Sequence, residues 1–173
     1  MIKLSKEHLN ASNSCRIIEE KLIPIHTLNI IFRKTEAGAE CDKTFLCFED
    51  GYFKVRDAIN KNYTIIDFGI AYGFQAYIFK DFKKYIGVDI DDCGELICSF
   101  LPNASFYKMD VNKWIKTQLK EQCLDLEQTV AICSYNPSYS NSDKCKIIKE
   151  TFPNYYLKYG EWEEYKLGNQ ISK

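Results

Sequence analysis

The chain has 173 residues, 46% of them hydrophobic and 14% aromatic, enough apolar material for one packed core in one domain, or one domain plus a short lobe. A formal net charge of −1 supplies no global field to recruit nucleic acid or an anionic surface, although a local patch can still contact phosphate. No run approaches the ~20 apolar residues of a membrane span, and the first residues carry no apolar stretch followed by a cleavage site, so a cytoplasmic protein without a membrane partner is expected. Eight scattered cysteines without a C-x-x-C pair read as reduced thiols, and with only His8 and His26 present no metal site is expected.

Residues 1–60 are expected to form an N-terminal helical extension or lid within the same domain. Ser5 is placed to cap a helix over 6–22, and Pro24 fits the first turn of a second helix reaching residue 34. The segments 44–48 and 52–55 around Glu49-Asp50-Gly51 read as a hairpin, while 52–60 reads equally well as a helix. Residues 61–160 are regular. Thr64–Phe68 is a β-branched strand ending at Gly69, and 73–83 follows with helical spacing of Phe74, Tyr77, Ile78 and Phe82. A strand over 85–90 leads to a helix over 92–101 that stops at Pro102. A strand over 105–109 precedes a helix capped by Asn112 and carrying Trp114, Ile115 and Leu119. Thr129–Ser134 is a fourth strand, 143–152 a fourth helix and 155–159 a fifth strand. Strands alternating with helices imply a mostly parallel sheet covered on both faces. Residues 161–173 read as a polar, frayed tail on which Trp162 docks.

The first strand runs into Asp67-Phe68-Gly69-Ile70-Ala71-Tyr72-Gly73. A helix that starts after a small-residue turn offers free backbone N–H groups and lets a ligand lie against the main chain. A carboxylate on a buried strand needs a partner: either a cationic ligand group such as an ammonium, or the amides of its own turn. Asp89 closes the second strand 22 positions after Asp67, near the ~20 residues between a glycine turn and a ribose-binding acid in nucleotide-binding units. Asp110 closes the third. Singly each acid reads as a helix cap; together they mark the strand edge where such sheets bind ligands.

Residues 63–139 resemble the class I S-adenosylmethionine-dependent methyltransferases, whose first motif is acid-x-Gly-x-Gly-x-Gly. Asp67, Gly69 and Gly73 match it, and Ala71 replaces the middle glycine. The resemblance implies an α/β fold, a doubly wound, Rossmann-like, mostly parallel sheet of strand order 3-2-1-4-5, with S-adenosylmethionine as cofactor. It implies that Asp67 and Gly69, in a turn completed by Ala71 and Gly73, hold the methionine end. Asp89 would hold the ribose hydroxyls and Asp110 the adenine amino group, with Ile90 and Val111 flanking the ring. The fourth strand continues into Tyr135-Asn136-Pro137-Ser138-Tyr139, which resembles the Asn-Pro-Pro-Tyr loop of enzymes that methylate amino nitrogens of bases or glutamine side chains, with Ser138 for the second proline. There the Asn136 amide and Pro137 carbonyl would accept the N–H groups of the target while Tyr139 stacks on its plane.

In the expected strand order, strands 1 and 4 are neighbours, so this loop and the 69–73 turn face one crevice. After the fifth strand the sheet reads as C-terminally abbreviated: either 161–171 forms one short edge strand, or a protein partner or second copy covers the edge. The implied activity is methylation of a planar amine or amide, with a nucleic acid base, a protein amide or a small molecule as acceptor. The alternative is an inactive methyltransferase-like binding subunit, to which Ala71, Ser138 and the missing C-terminal strands point. A nicotinamide site fits poorly, because Gly-x-Gly-x-x-Gly fails at Ala71 and Phe74.

Overall fold

Short runs rich in Ile, Val, Tyr and Thr, each bounded by Gly, Asn or Asp, set the strands of this protein. The structure, a computed structural model, describes residues 50–70, 73–92, 94–134, 142–159, 162–168 and 170–172. The expected helices over 6–22 and 24–34, the strand over 44–48, Ala71 and residues 136–139 lie outside the described residues. In chain order the elements are α1 (Asp50–Ala58), β1 (Thr64–Phe68), a 3-10 helix (Phe74–Phe79), β2 (Lys84–Asp89), α2 (Glu95–Ser99), β3 (Ala104–Lys108) and α3 (Val111–Glu121). A short 3-10 turn (Leu126–Gln128), β4 (Thr129–Ser134), α4 (Ser142–Thr151), β5 (Asn154–Tyr159), β6 (Trp162–Leu167) and β7 (Gln170–Ser172) complete it.

The strands form one sheet of order β3-β2-β1-β4-β5-β6-β7, the expected doubly wound arrangement. The pairs β3·β2, β2·β1, β1·β4 and β4·β5 are parallel, with Asp67 opposite Gly87 on one side and Ile132 on the other. Along each strand side chains alternate between faces. Ile66, Phe68 and Val88 pack against Trp114 of α3 and Ile148 and Phe152 of α4. Burying each such side chain contributes about 1.5–3 kcal/mol. Asp67 and Tyr85 meet α1 and the 3-10 helix on the opposite face, where Tyr52, Phe79 and Tyr85 form a run of ring contacts. No helix among the described residues is long and apolar enough to cross a membrane.

Four details differ from the sequence reading. Residues 52–58 are helical, so the hairpin reading there gives way to its alternative. The helix expected over 73–83 is a 3-10 helix over Phe74–Phe79. Asn103 stops it by donating from Nδ2 to the carbonyls of Phe79 and Phe82 at 3.0 and 2.9 Å. The helix after β3 is capped by Asp110 rather than Asn112: the carboxylate accepts from the N–H groups of Asn112 and Lys113. Lastly, 162–168 and 170–172 are no frayed tail. β6 pairs antiparallel with β5 and β7 antiparallel with β6, so the edge of β5 is hydrogen-bonded within the chain.

Candidate functional site

β2 and β3 lie on one side of β1, and β4 and β5 on the other, so the winding reverses between β1 and β4. Ligands of open α/β sheets lie beyond the carboxyl ends of the strands at such a reversal. The chain leaves β1 there through Gly69, whose N–H donates to the Val88 carbonyl at 2.8 Å and extends the β1–β2 ladder. Gly69 and Gly73 have φ of 79° and 76°. That left-handed region costs a side-chain-bearing residue roughly 1–2 kcal/mol, which is why both ends of the turn are glycine. Gly73 donates to the Ile70 carbonyl at 2.9 Å and closes the turn. Ile70 points inward: a Cβ on Gly87 would lie 2.5 Å from Ile70 Cδ1, so the bare backbone of β2 makes room for it.

Asp67 is fully buried. Tyr85 donates to Oδ2 at 2.7 Å, Gln75 to Oδ2 at 3.1 Å and Tyr52 to Oδ1 at 3.3 Å. These donors are side chains of β2, the 3-10 helix and α1, so Asp67 is paired within the chain, without a ligand ammonium. Burial pushes its carboxyl up to about 7, against the downward pull of Tyr85, Gln75 and Tyr52, and the charge of Asp89 adds to the rise. The same burial, with Asp67 alongside, pushes the Tyr85 hydroxyl well above its ordinary value.

Asp89 ends β2 and is also buried; it accepts the Asp91 N–H at 3.1 Å, while its carbonyl accepts the Met109 N–H at 2.6 Å. The next residue, Ile90, is 52% exposed. A large aliphatic side chain thus stands open beside a buried carboxylate at the carboxyl end of β2.

Asp110 follows β3 with both oxygens engaged, Oδ1 by the α3 amides and Oδ2 by Lys144 of α4 at 3.2 Å. Partial burial works to raise its carboxyl, but Lys144 and the amides of Asn112 and Lys113 outweigh it and hold the group below its ordinary value. Val111 is fully buried in the core beside Phe68 and Trp114. The structure therefore gathers Asp67, Gly69, Gly73, Asp89 and Ile90 at the ends of β1 and β2. It commits Asp110 to a cap and an ion pair, and Val111 to the core. Ala71, Asn136, Pro137 and Tyr139 fall outside the described residues.

Sequence reasoning missed Tyr52, Gln75, Tyr85 and Lys144. The signal for Tyr85 was present: a buried acid requires donors, and Tyr85 is a hydroxyl in an otherwise apolar strand. No group of three or more His, Cys, Asp or Glu among the described residues is placed to hold a metal. Cys98 and Cys133 are buried free thiols whose burial pushes them up, Cys98 to about 12.

No protein-family model and no curated protein matches the chain. Among solved structures it is similar to TrmK of M. capricolum in complex with S-adenosylhomocysteine, with a TM-score of 0.48 and 14% identity over 64% of this chain and 51% of that one. It is similar to the 23S rRNA methyltransferase ErmE, with a TM-score of 0.48 and 10% identity over 65% and 47%. A SAM-dependent methyltransferase from Aquifex aeolicus gives a TM-score of 0.44 and 16% identity over 62% and 61%. The chain thus spans about half to three fifths of these proteins' lengths.

Proposed function

We propose that this protein is an S-adenosylmethionine-dependent methyltransferase acting on the nitrogen of a planar amine or amide. One observation carries the reading: at the reversal of the sheet, a turn bounded by two left-handed glycines lies beside a buried Asp89 and an exposed Ile90. Gly69 and Gly73 keep the main chain bare where the amino-acid end of the cofactor passes. Asp89 accepts the ribose hydroxyls, and Ile90 covers one face of the base. Asp110 serves the adenine amino group only by sharing the oxygen that Lys144 holds. When bound, the cofactor supplies an electrophilic methyl group on a sulfonium.

The transfer then depends on aiming a nitrogen lone pair. A planar amine is a weak nucleophile because its lone pair is delocalised. Acceptors that fix its two N–H bonds turn that pair toward the methyl carbon, and orientation of this kind supplies much of a bimolecular rate enhancement. The segment after β4 carries the residues for this role: the Asn136 amide and Pro137 carbonyl as acceptors, and Tyr139 as the stacking plane. The acceptor molecule is a nucleobase, a protein amide or a small-molecule amine.

The test is mass spectrometry of products from lysate incubated with isotopically labelled cofactor, run beside Asn136→Ala. A labelled N-methyl product, formed at least about 10²-fold more slowly by the variant with cofactor affinity unchanged, is expected. A product made by Asn136→Ala at the wild-type rate removes the amino-methyltransferase assignment. Tight cofactor binding with no product leaves a binding subunit instead.

A further inference from the structure

The fully buried Asp67 network reaches outside the nucleotide-binding core into α1, a segment no cofactor motif includes. We propose that Tyr52 of α1 is a positioning residue for the cofactor turn, acting through Gln75 and Asp67 on the Ile70 carbonyl, which accepts the Gly73 N–H. The inference rests on the reading of 69–73 as the cofactor turn.

Gln75 Nε2 lies 3.0 Å from the Ile70 carbonyl, 3.1 Å from Asp67 Oδ2 and 3.4 Å from the Tyr52 hydroxyl. An amide nitrogen has two hydrogens, and the two nearer acceptors, the Ile70 carbonyl and Asp67 Oδ2, take them, with the Tyr52 hydroxyl a weaker third. The Ile70 carbonyl is the one that also accepts the Gly73 N–H and so closes the turn. Tyr52 donates to Asp67 Oδ1, which lets Asp67 leave part of Gln75's donor capacity to Ile70. The tyrosine is itself fixed, buried with its ring edge-on to Phe79 at 6.4 Å. Without its hydroxyl, a sealed carboxyl loses one of its three donors among the described residues, and of the remaining two Gln75 also bonds the Ile70 carbonyl. Gln75 is then drawn from Ile70 toward Asp67, and the turn loses a brace. Tyr85 stays on Oδ2 throughout, and Asp89 is the charged neighbour whose field reaches the cluster.

The experiment uses the full chain, wild type against Tyr52→Phe, with three readouts. Amide hydrogen exchange over 69–76 should quicken about tenfold relative to the β4 and β5 ladder, which a uniform loss of stability does not produce. The 13C-carboxyl titration of Asp67 should move upward, because the lost hydroxyl pulls that group down. Affinity for S-adenosylhomocysteine by calorimetry should weaken on the order of tenfold, the scale of one hydrogen bond to a charged group. Gln75→Met breaks the same relay from a half-buried site and serves if Tyr52→Phe folds poorly. The double variant should lose less than the two singles combined. Exchange that quickens everywhere alike, or strict additivity, overturns the proposal. A wild-type chain that binds no S-adenosylhomocysteine removes the cofactor reading instead, and exchange over 69–76 still decides whether Tyr52 positions the turn.

Discussion

A carboxyl group sealed from water must be either well paired or protonated, and Asp67 stands between the two. Three neutral donors and no cation surround it among the described residues, and its folded value of about 7 lies above the ordinary 3.8. Between those values the folded chain keeps a proton that the unfolded chain has released. Its contribution to stability is therefore complete below the unfolded value and is lost as pH rises through about 7, by at most about 1.4 kcal/mol per pH unit. Urea midpoints of the wild type should fall between pH 5 and 7 relative to Asp67→Asn, which holds no such proton; parallel curves would show that Asp67 is ionised throughout. Asp89 calls for a different measurement. If its carboxylate accepts ribose hydroxyls, Asp89→Asn keeps the shape and loses the charge, and binding of S-adenosylhomocysteine should weaken by about 1.5–3 kcal/mol in calorimetry. Equal affinity would move the ribose contact to another group, with the exposed Asp91 next in line.

At the scale of elements, β1 and β4 were legible to the residue because β-branched runs with turn residues at both ends leave little choice. The segment after Gly73 misled because Phe74 and Tyr77, three apart, suit both a helical stripe and a 3-10 turn. β6 was unreadable for another reason. Its charges face both ways: Glu163 is bonded by Lys54 of α1, and Glu164 by Lys149 of α4 and Tyr155 of β5. A strand whose partners are charged on both faces has the composition of a tail. In the site, Asp67 and Asp89 were legible from strand ends, whereas Tyr52 and Gln75 matter only through contacts that spacing does not encode. The Ile70–Gly87 contact yields a prediction at this scale. Gly87→Ala should destabilise by about 1–3 kcal/mol, as overpacking does, because Ile70 Cδ1 and Cys98 Sγ already fill the space. Ile70→Val removes the offending methyl, so the double variant should recover most of that loss in urea unfolding. Simple addition of the two costs would mean that another contact is responsible.

For the whole molecule, the arrangement divides labour between the two directions of the sheet. Across the strands, β6 and β7 close the β5 side by hydrogen bonding, while α3 and α4 seal one face. Along the strands, the carboxyl ends of β1 and β2 carry the left-handed glycines, the buried acid and the open aliphatic side chain. A ligand that fits this edge contacts the turn after β1 and the end of β2 together, and it gains nothing from the unfolded chain. It should therefore stabilise the fold by mass action, about 2.7 kcal/mol at a ligand concentration 100-fold above Kd. For a chain of this size that corresponds to a rise in Tm of roughly 5–10 °C. On the proposed assignment S-adenosylhomocysteine would span both contacts, adenosine only the β2 end and methionine only the turn, so each fragment should give a smaller shift than the whole. Asp89→Asn should reduce the shifts with adenosine and S-adenosylhomocysteine and spare that with methionine. A flat melting temperature in millimolar S-adenosylhomocysteine, with no calorimetric heat, would leave the doubly wound sheet intact and take the cofactor away from its carboxyl edge.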